Sequence, residues 1–228
     1  MPATRNRETS TVIYEERRIT LNRRAFPDYR SFVLGTLWPK LLDAGHQPIC
    51  LLNGLIGAGA EDVLLVIGFD TFDAWQAAQP SIAGSDDDAP PRQWIAEESV
   101  RLMLASRYRP TGPAQPDERR SVYGARRWWI RPEDWETFNQ LSFDGIWPAM
   151  DHMDHWVIGQ FRDAAITSPL EILNLAGYHD PAHWQATRSP AEHGVPAPIM
   201  EKLGTLGRDR ENLVLKSHVC LMKAHWPD

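Results

Sequence analysis

The sequence predicts an α+β fold made of two copies of one β-α-β-β-α-β unit, on three observations. The strand-like stretch Ile13-Tyr14-Glu15-Glu16-Arg17-Arg18-Ile19-Thr20-Leu21 returns 109 positions later as Val122-Tyr123-Gly124-Ala125-Arg126-Arg127-Trp128-Trp129-Ile130, with Tyr, Arg and Arg at the same spacing. That offset also carries Trp38-Pro39 to Trp147-Pro148, His46 to His155, Ile49 to Ile158, Gly68 to Gly177 and Trp75-Gln76-Ala77 to Trp184-Gln185-Ala186. The order of apolar periodicities, two for strands and three-to-four for helices, is the same in both halves.

Residues 1–10 are polar and read as a loose arm. After the first strand, Phe26, Tyr29, Phe32, Val33, Leu37 and Leu41 recur at helical spacing between Ala25 and Ala44. Pro39 should kink or split that helix near Trp38, and Gly45 should stop it. Pro48–Ile56 and Asp62–Phe69 read as strands joined by the turn Gly57-Ala58-Gly59-Ala60. Asp70-Thr71 can cap a short helix through Phe72, Trp75 and Ala78. Pro80–Arg92 reads as a surface loop, followed by a short helix through Trp94 and a strand from Val100 to Tyr108.

The second half repeats this order. Pro132, Glu133 and Asp134 suit a first helical turn, with Trp135, Phe138, Leu141, Ile146 and Met150 as its apolar face. Strands are expected at Trp156–Phe161 and Leu170–Tyr178, a short helix at Pro181–Thr187, a Pro-rich loop at Pro190–Pro198 and a last strand at Asn212–Met222. The domain reading is one repeat over 11–108, a second over 121–225, and a Pro- and Gly-bearing linker over 109–120.

A β-α-β-β-α-β unit of ferredoxin-like type makes a four-stranded antiparallel sheet with helices on one face. Its bare face needs a cover, and the second copy is the nearest one. Two such sheets face to face give a barrel whose interior can be a ligand cavity.

Composition narrows the partners. The 228 residues carry a formal charge of -6 and no basic run, which argues against nucleic acid, since phosphate binding needs clustered Lys and Arg. No segment offers the ~20 apolar residues of a membrane span. Cys50 and Cys220 lack motif spacing, and a reduced, cytoplasmic protein is expected. Ten Trp suit bulky packing or an aromatic-lined cavity.

The strand pattern from Ile13 to Leu21 resembles the opening I-Y-E-L-R-T-Y-T-L of the NIPSNAP family, and Leu64 to Trp75 is similar to its later strand and helix cap. This family belongs to the dimeric α/β-barrel superfamily, so the resemblance implies two ferredoxin-like repeats forming a pseudo-dimeric barrel on one chain. The second copy departs from the pattern at Gly124 and Ala125, where the family has Glu and Leu, and both copies place Arg18 or Arg127 where Thr is usual. The superfamily includes cofactor-free monooxygenases, isomerases, cyclases and haem enzymes.

If the family register holds, Glu15 and Arg17 look into the barrel with Arg126 and Trp128 opposite. Arg17 and Arg126 would anchor a carboxylate, phenolate or enolate. Glu15 or His218 would move a proton, and Trp128, Trp38 and Trp147 would contact an aromatic substrate. Asp151-His152-Met153-Asp154-His155 is dense in titratable groups but does not present a convergent metal set, and no metal or tightly bound cofactor is expected. His179 and His183 lack the Glu of a zincin motif. Two functions stay open: a small-molecule enzyme acting on a hydrophobic or aromatic anion by proton transfer, isomerisation, cyclisation or oxygenation, and a non-catalytic ligand-binding or adaptor protein. A Soret band would reveal haem. A chain that closes its own barrel should be a monomer, although a homodimer is the alternative.

Overall fold

In a computed structural model describing residues 12–84, 89–110 and 112–227, eight antiparallel strands close into one barrel. The loose arm expected at 1–10 lies outside the described residues. The first half contributes β1 (Ile13–Leu21), α1 (Phe26–Phe32), α2 (Trp38–Asp43), β2 (Gln47–Ile56), β3 (Asp62–Phe69), α3 (Phe72–Ala83) and β4 (Ile95–Ala105). The second contributes β5 (Val122–Ile130), α4 (Trp135–Leu141), α5 (Trp147–His152), β6 (Trp156–Asp163), β7 (Leu170–Tyr178), α6 (Pro181–Ala186), α7 (Ala197–Glu211) and β8 (Val214–His225).

The ring runs β1-β3-β2-β8-β5-β7-β6-β4 and returns to β1. Each half therefore supplies four adjacent strands, and the joints are β2 with β8 and β4 with β6. Among the described residues, no helix is long and apolar enough to cross a membrane.

Prolines shape the first helix of each half in the same way. In an α-helix, the Pro39 ring would press on the carbonyl of Gly35, four residues back. A π turn over Val33–Leu37 widens the helix there, and the Trp38 N–H reaches Val33 O, five residues back. Ser142–Ile146 does the same before Pro148, with Trp147 N–H bonded to Ser142 O. The break expected near Trp38 is thus a change of pitch.

Three boundaries differ from the sequence reading. α3 runs through Pro80, which sits on the exposed side, and ends at Gly84 with φ 87°; residues 85–88 of the expected loop lie outside the described residues. β4 begins at Ile95 instead of Val100, the polar run Ala96-Glu97-Glu98-Ser99 having masked its first half. The 15-residue helix α7 falls between the loop and the last strand, where the sequence reading places no element. Gly204 and Gly207 weaken its propensity, and it forms because it packs on the π turn: a Cβ on Gly145 would lie 2.5 Å from Leu206 Cβ.

The barrel centre is a packed core. Tyr14, Leu52, Val66 and Met103 from the first half meet Tyr123, Phe161, Leu173 and Leu175 from the second, with the Tyr14 and Phe161 rings 4.9 Å apart. This reverses the expected faces of the repeated strand. Tyr14 and Glu16 point inward, as do Tyr123, Ala125 and Arg127, whereas Glu15, Arg17 and Ile19 lie beneath the helices.

Glu16, fully buried, accepts from Arg127 and from Arg101 Nε at 2.7 Å. Arg127 also reaches Glu171 at 2.8 Å, and Arg101 lies 2.9 Å from Asp163. Burial alone would raise the Glu16 carboxyl, but Arg127 and Arg101 hold it below the ordinary carboxylate value. The network joins strands of both halves across the barrel.

Candidate functional site

The residues expected to form one site are distributed over three places. Glu15 and Arg17 form a closed cluster beneath α3. Arg17 Nε donates to Glu15 Oε1 at 2.8 Å, Arg17 Nη1 to Glu98 Oε1 at 2.6 Å, and Arg17 Nη2 to Gln79 Oε1 at 2.9 Å. The second oxygen of Glu15 accepts from Trp75 Nε1 at 2.6 Å and Gln79 Nε2 at 2.8 Å. Glu15 and Arg17 are 0% and 2% exposed, so the cluster is satisfied and sealed. Burial opposes the Arg17 charge, yet Glu15 and Glu98 raise its pKa further.

His218 is exposed on β8, at the rim of a cavity of about 370 Å³ that opens at one end of the barrel beside Arg18 and Arg127. It pairs in register with Arg127, on the face of the sheet opposite Arg126. Trp38 belongs to the first-half core, with its ring edge-on to Trp226 at 6.2 Å. The face assignment of Glu15 and Arg17 is therefore corrected, and Glu15, Arg17, Arg126 and His218 do not converge.

Arg126, Trp128 and Trp147 do meet, in a cleft of about 230 Å³ between the second-half sheet and its helices. β5 supplies Gly124, Arg126 and Trp128 to the floor, and β7 supplies Asn174, Ala176 and Tyr178. Trp147 and Met150 come from α5, Trp184 from α6, Arg188 from the turn after it, and Leu203 and Arg210 from α7.

The cleft exists because the second half lacks what fills the first. Glu15 faces Ile67 and Leu102 across the sheet, and Gly124 faces Ala176 and Leu221 in the matching places. Arg17 faces Leu65 and Val100, and Arg126 faces Asn174 and Val219. Ile19 pairs with Glu98, whereas Trp128 pairs with Ser217. Both carboxylates that neutralise Arg17 are thus absent around Arg126.

Charge in the cleft is one-sided. Arg126 lies 5.7 Å from the Trp128 ring, Arg188 5.4 Å from the Trp184 ring, and Arg210 4.6 Å from Trp128 and 5.0 Å from Phe138. Among the described residues no carboxylate forms an ion pair with any of the three. Arg210 Nη1 donates to Ser142 Oγ at 3.2 Å, but its buried Nε has no partner. Burial, aided by the charge of Arg126, lowers the Arg210 pKa to about 10. His155 packs on Tyr178 with ring centroids 3.9 Å apart, and its buried Nε2 also has no partner. Burial first, then the charges of His183 and Arg126, lowers its pKa to about 3, so the imidazole is neutral at neutral pH. Asn174 Oδ1 is a third buried atom without a partner. Arginines on aromatic faces, a neutral imidazole and open polar atoms suit a flat anion.

The rest of the Asp151–His155 cluster diverges. Asp151 pairs with Arg109 at 2.8 Å, Asp154 with Arg120 and His179, and His155 alone of the titratable members lines the cleft, beside Met153. Trp75 is tied to Glu15 and Trp184 lines the cleft, so the two repeated tryptophans do not form an exposed docking patch.

The sequence reading does not place Arg188, Arg210, His155 or Tyr178 in a site. The 109-residue offset marks two of them, since it carries His46 to His155 and turns Gln79 into Arg188 where it also turns Glu15 into Gly124. Arg210 sits on α7, which has no counterpart among the described residues of the first half.

No family model matches the chain, and no curated protein matches it in sequence. Solved structures match its fold. A proposed monooxygenase from Lactobacillus acidophilus is 11% identical, with TM-score 0.63 over 94% of each chain. An anthrone oxidase-like protein is 10% identical, with TM-score 0.58 over 96% of this chain and 92% of its own. Chlorite dismutase from Candidatus Nitrospira defluvii is 9% identical, with TM-score 0.55 over 95% and 92%. The fold is thus of the dimeric α/β-barrel type. A NIPSNAP domain protein from Burkholderia xenovorans aligns with 44% of the chain at TM-score 0.35, and the likeness to that family rests on the strand motifs alone.

Proposed function

We propose that the chain is a small-molecule enzyme whose site is the second-half cleft and whose substrate is a hydrophobic, aromatic anion or acidic phenol. One observation carries the reading: among the described residues, Arg126, Arg188 and Arg210 line an aromatic cleft without a paired carboxylate. Arg126 and Arg210 are partly withdrawn from water, where a cation without a counter-charge is costly, and a bound anion would relieve that cost. The matches to a proposed monooxygenase and an anthrone oxidase-like protein support a small-molecule enzyme of this fold.

In this proposal Arg126 and Arg210 hold the substrate oxygen, and Trp128 and Trp147 flank its ring. His155 Nε2 accepts the proton released by a substrate O–H or C–H, giving an imidazolium beside the anion that the arginines stabilise. The approach of that anion raises the basicity of His155, so the base strengthens as charge develops. Glu15, Arg17 and Trp38 form the scaffold of the first half. His218 has no part in the step.

We further propose that the halves are ferredoxin-like repeats of one ancestor, 11–108 and 121–225, and that only the second kept the cleft. The chain should then elute near its own 25.9 kDa; twice that mass would indicate a homodimer.

The test is turnover or binding of acidic polycyclic phenols by the purified protein and by Arg126→Met and His155→Gln. Loss of turnover with retained binding in His155→Gln supports the enzyme reading. Binding without any turnover would make the chain a ligand-binding protein, and a Soret band would reassign the cleft to haem.

A further inference from the structure

The first half contains a model of what the cleft holds. Glu15 places its carboxylate among three donors: Arg17 Nε, Trp75 Nε1 and Gln79 Nε2, at 2.8, 2.6 and 2.8 Å. At the same offset the second half keeps every donor-bearing position as Arg126, Trp184 and Arg188, and all three line the cleft. The change from Gln79 to Arg188 retains N–H donors and adds a charge. Only the acceptor is gone, because Glu15 is replaced by Gly124. Gly124 has no side chain, so its place opens into the cleft.

We propose that the cleft seats the carboxylate of an aromatic carboxylic acid where the first half seats Glu15, with Arg126, Trp184 and Arg188 as its donors. The inference rests on the reading of this cleft as the binding site, and it adds the ligand's head group and the identity of the seat. A carboxylate fits better than a neutral head. Planar guanidinium groups bind two oxygens at once, and the indole N–H takes a remaining lone pair, as in the first half. Trp184 becomes a specificity-determining residue, and Arg188, exposed at the mouth, closes over the head group.

Two measurements test the seat. The first fills it from within. Gly124→Glu supplies a tethered carboxylate and Gly124→Gln an isosteric neutral group, so the pair cancels steric effects; a Cβ here would lie 3.3 Å from the Tyr178 ring. Gly124→Glu should melt about 2–4 °C above Gly124→Gln at pH 7. That gain should vanish as pH falls below about 4, where the new carboxyl protonates. Equal melting of the two variants would overturn the seat.

The second measurement is calorimetric titration with 2-naphthoate and 2-naphthamide. The acid should bind at least tenfold more tightly, and its binding should be lost in Gly124→Glu and weakened severalfold in Trp184→Phe. Equal affinity for the acid and the amide, both lost in Gly124→Glu, would overturn the carboxylate seat while leaving the cleft as the binding site. Binding of 2-naphthoate that Gly124→Glu leaves unchanged would overturn both.

Discussion

Arg17 and Arg126 stand at matching register on β1 and β5, but Arg17 is held by two carboxylates and Arg126, among the described residues, by none. The same side chain is therefore a buried structural cation in one half and an open anion anchor in the other.

The two arginines should respond oppositely to one substitution. Arg17→Met leaves the sealed Glu15 carboxylate without its counter-charge, while Glu98 keeps Arg92, and should cost about 3–5 kcal/mol. Arg126→Met removes a cation lacking a partner, so stability should hold or rise. Its affinity for an aromatic anion should fall about 10- to 100-fold, the loss of one charge-assisted hydrogen bond. Urea unfolding and calorimetric titration of both variants check this contrast.

Arg210→Met replaces a buried, partly unsatisfied cation with an apolar chain of similar length between Trp128 and Phe138. The melting temperature should rise about 2–4 °C as anion affinity drops. A fall in melting temperature would mean that the cation is already balanced in the free protein.

Glu16→Gln should destabilise the whole barrel by about 1.5–3 kcal/mol, because Arg127 and Arg101 lose their shared carboxylate but keep Glu171 and Asp163. The Glu16 pKa lies below its ordinary value. Its contribution is thus present above the unfolded pKa of about 4.3 and is lost as pH falls through the folded value. The acid limb of a stability–pH curve should flatten in the variant.

His155 gives a separate acid transition at higher pH. Its folded pKa of about 3 lies below that of the unfolded chain, so the unfolded state takes up the proton first. Stability is fully present above about pH 6.5 and declines as pH falls toward 3, by up to about 1.4 kcal/mol per unit. His225, lowered to about 4 by burial with Arg30 and Lys223 adding to it, contributes in the same direction. His155→Gln should remove its share, which melting curves between pH 7 and pH 4.5 would measure.

Much of the architecture was legible because landmark residues carry it. The Tyr-x-x-Arg-Arg strand, the Trp-Pro break and the glycines set the order of elements, and seven of the eight strands lie close to where periodicity places them. The inward face of β1 was not legible. Alternation offers two faces, and Arg17 and Arg18 put an arginine on each. What decides is Glu16, whose partners Arg101 and Arg127 lie 85 and 111 residues away in sequence. The site was half legible. Arg126, Trp128 and Trp147 are repeat positions, and Gly124 marks the departure. Arg210 is not, since α7 owes its helix to Gly145 and the π turn beneath it, and its own sequence carries two glycines.

The closed ring also limits how this protein can meet its own kind. With β2 joined to β8 and β4 to β6, each of the eight strands has a neighbour on both sides. The joints are short, Met103–Ala105 on Phe161–Asp163 and Leu51–Ile56 on Leu221–His225. Among the described residues, Ile95–Arg101 of β4 and Val214–Val219 of β8 are laddered to β1 and β5 alone, so strand-by-strand addition of a second copy is confined to those two edges.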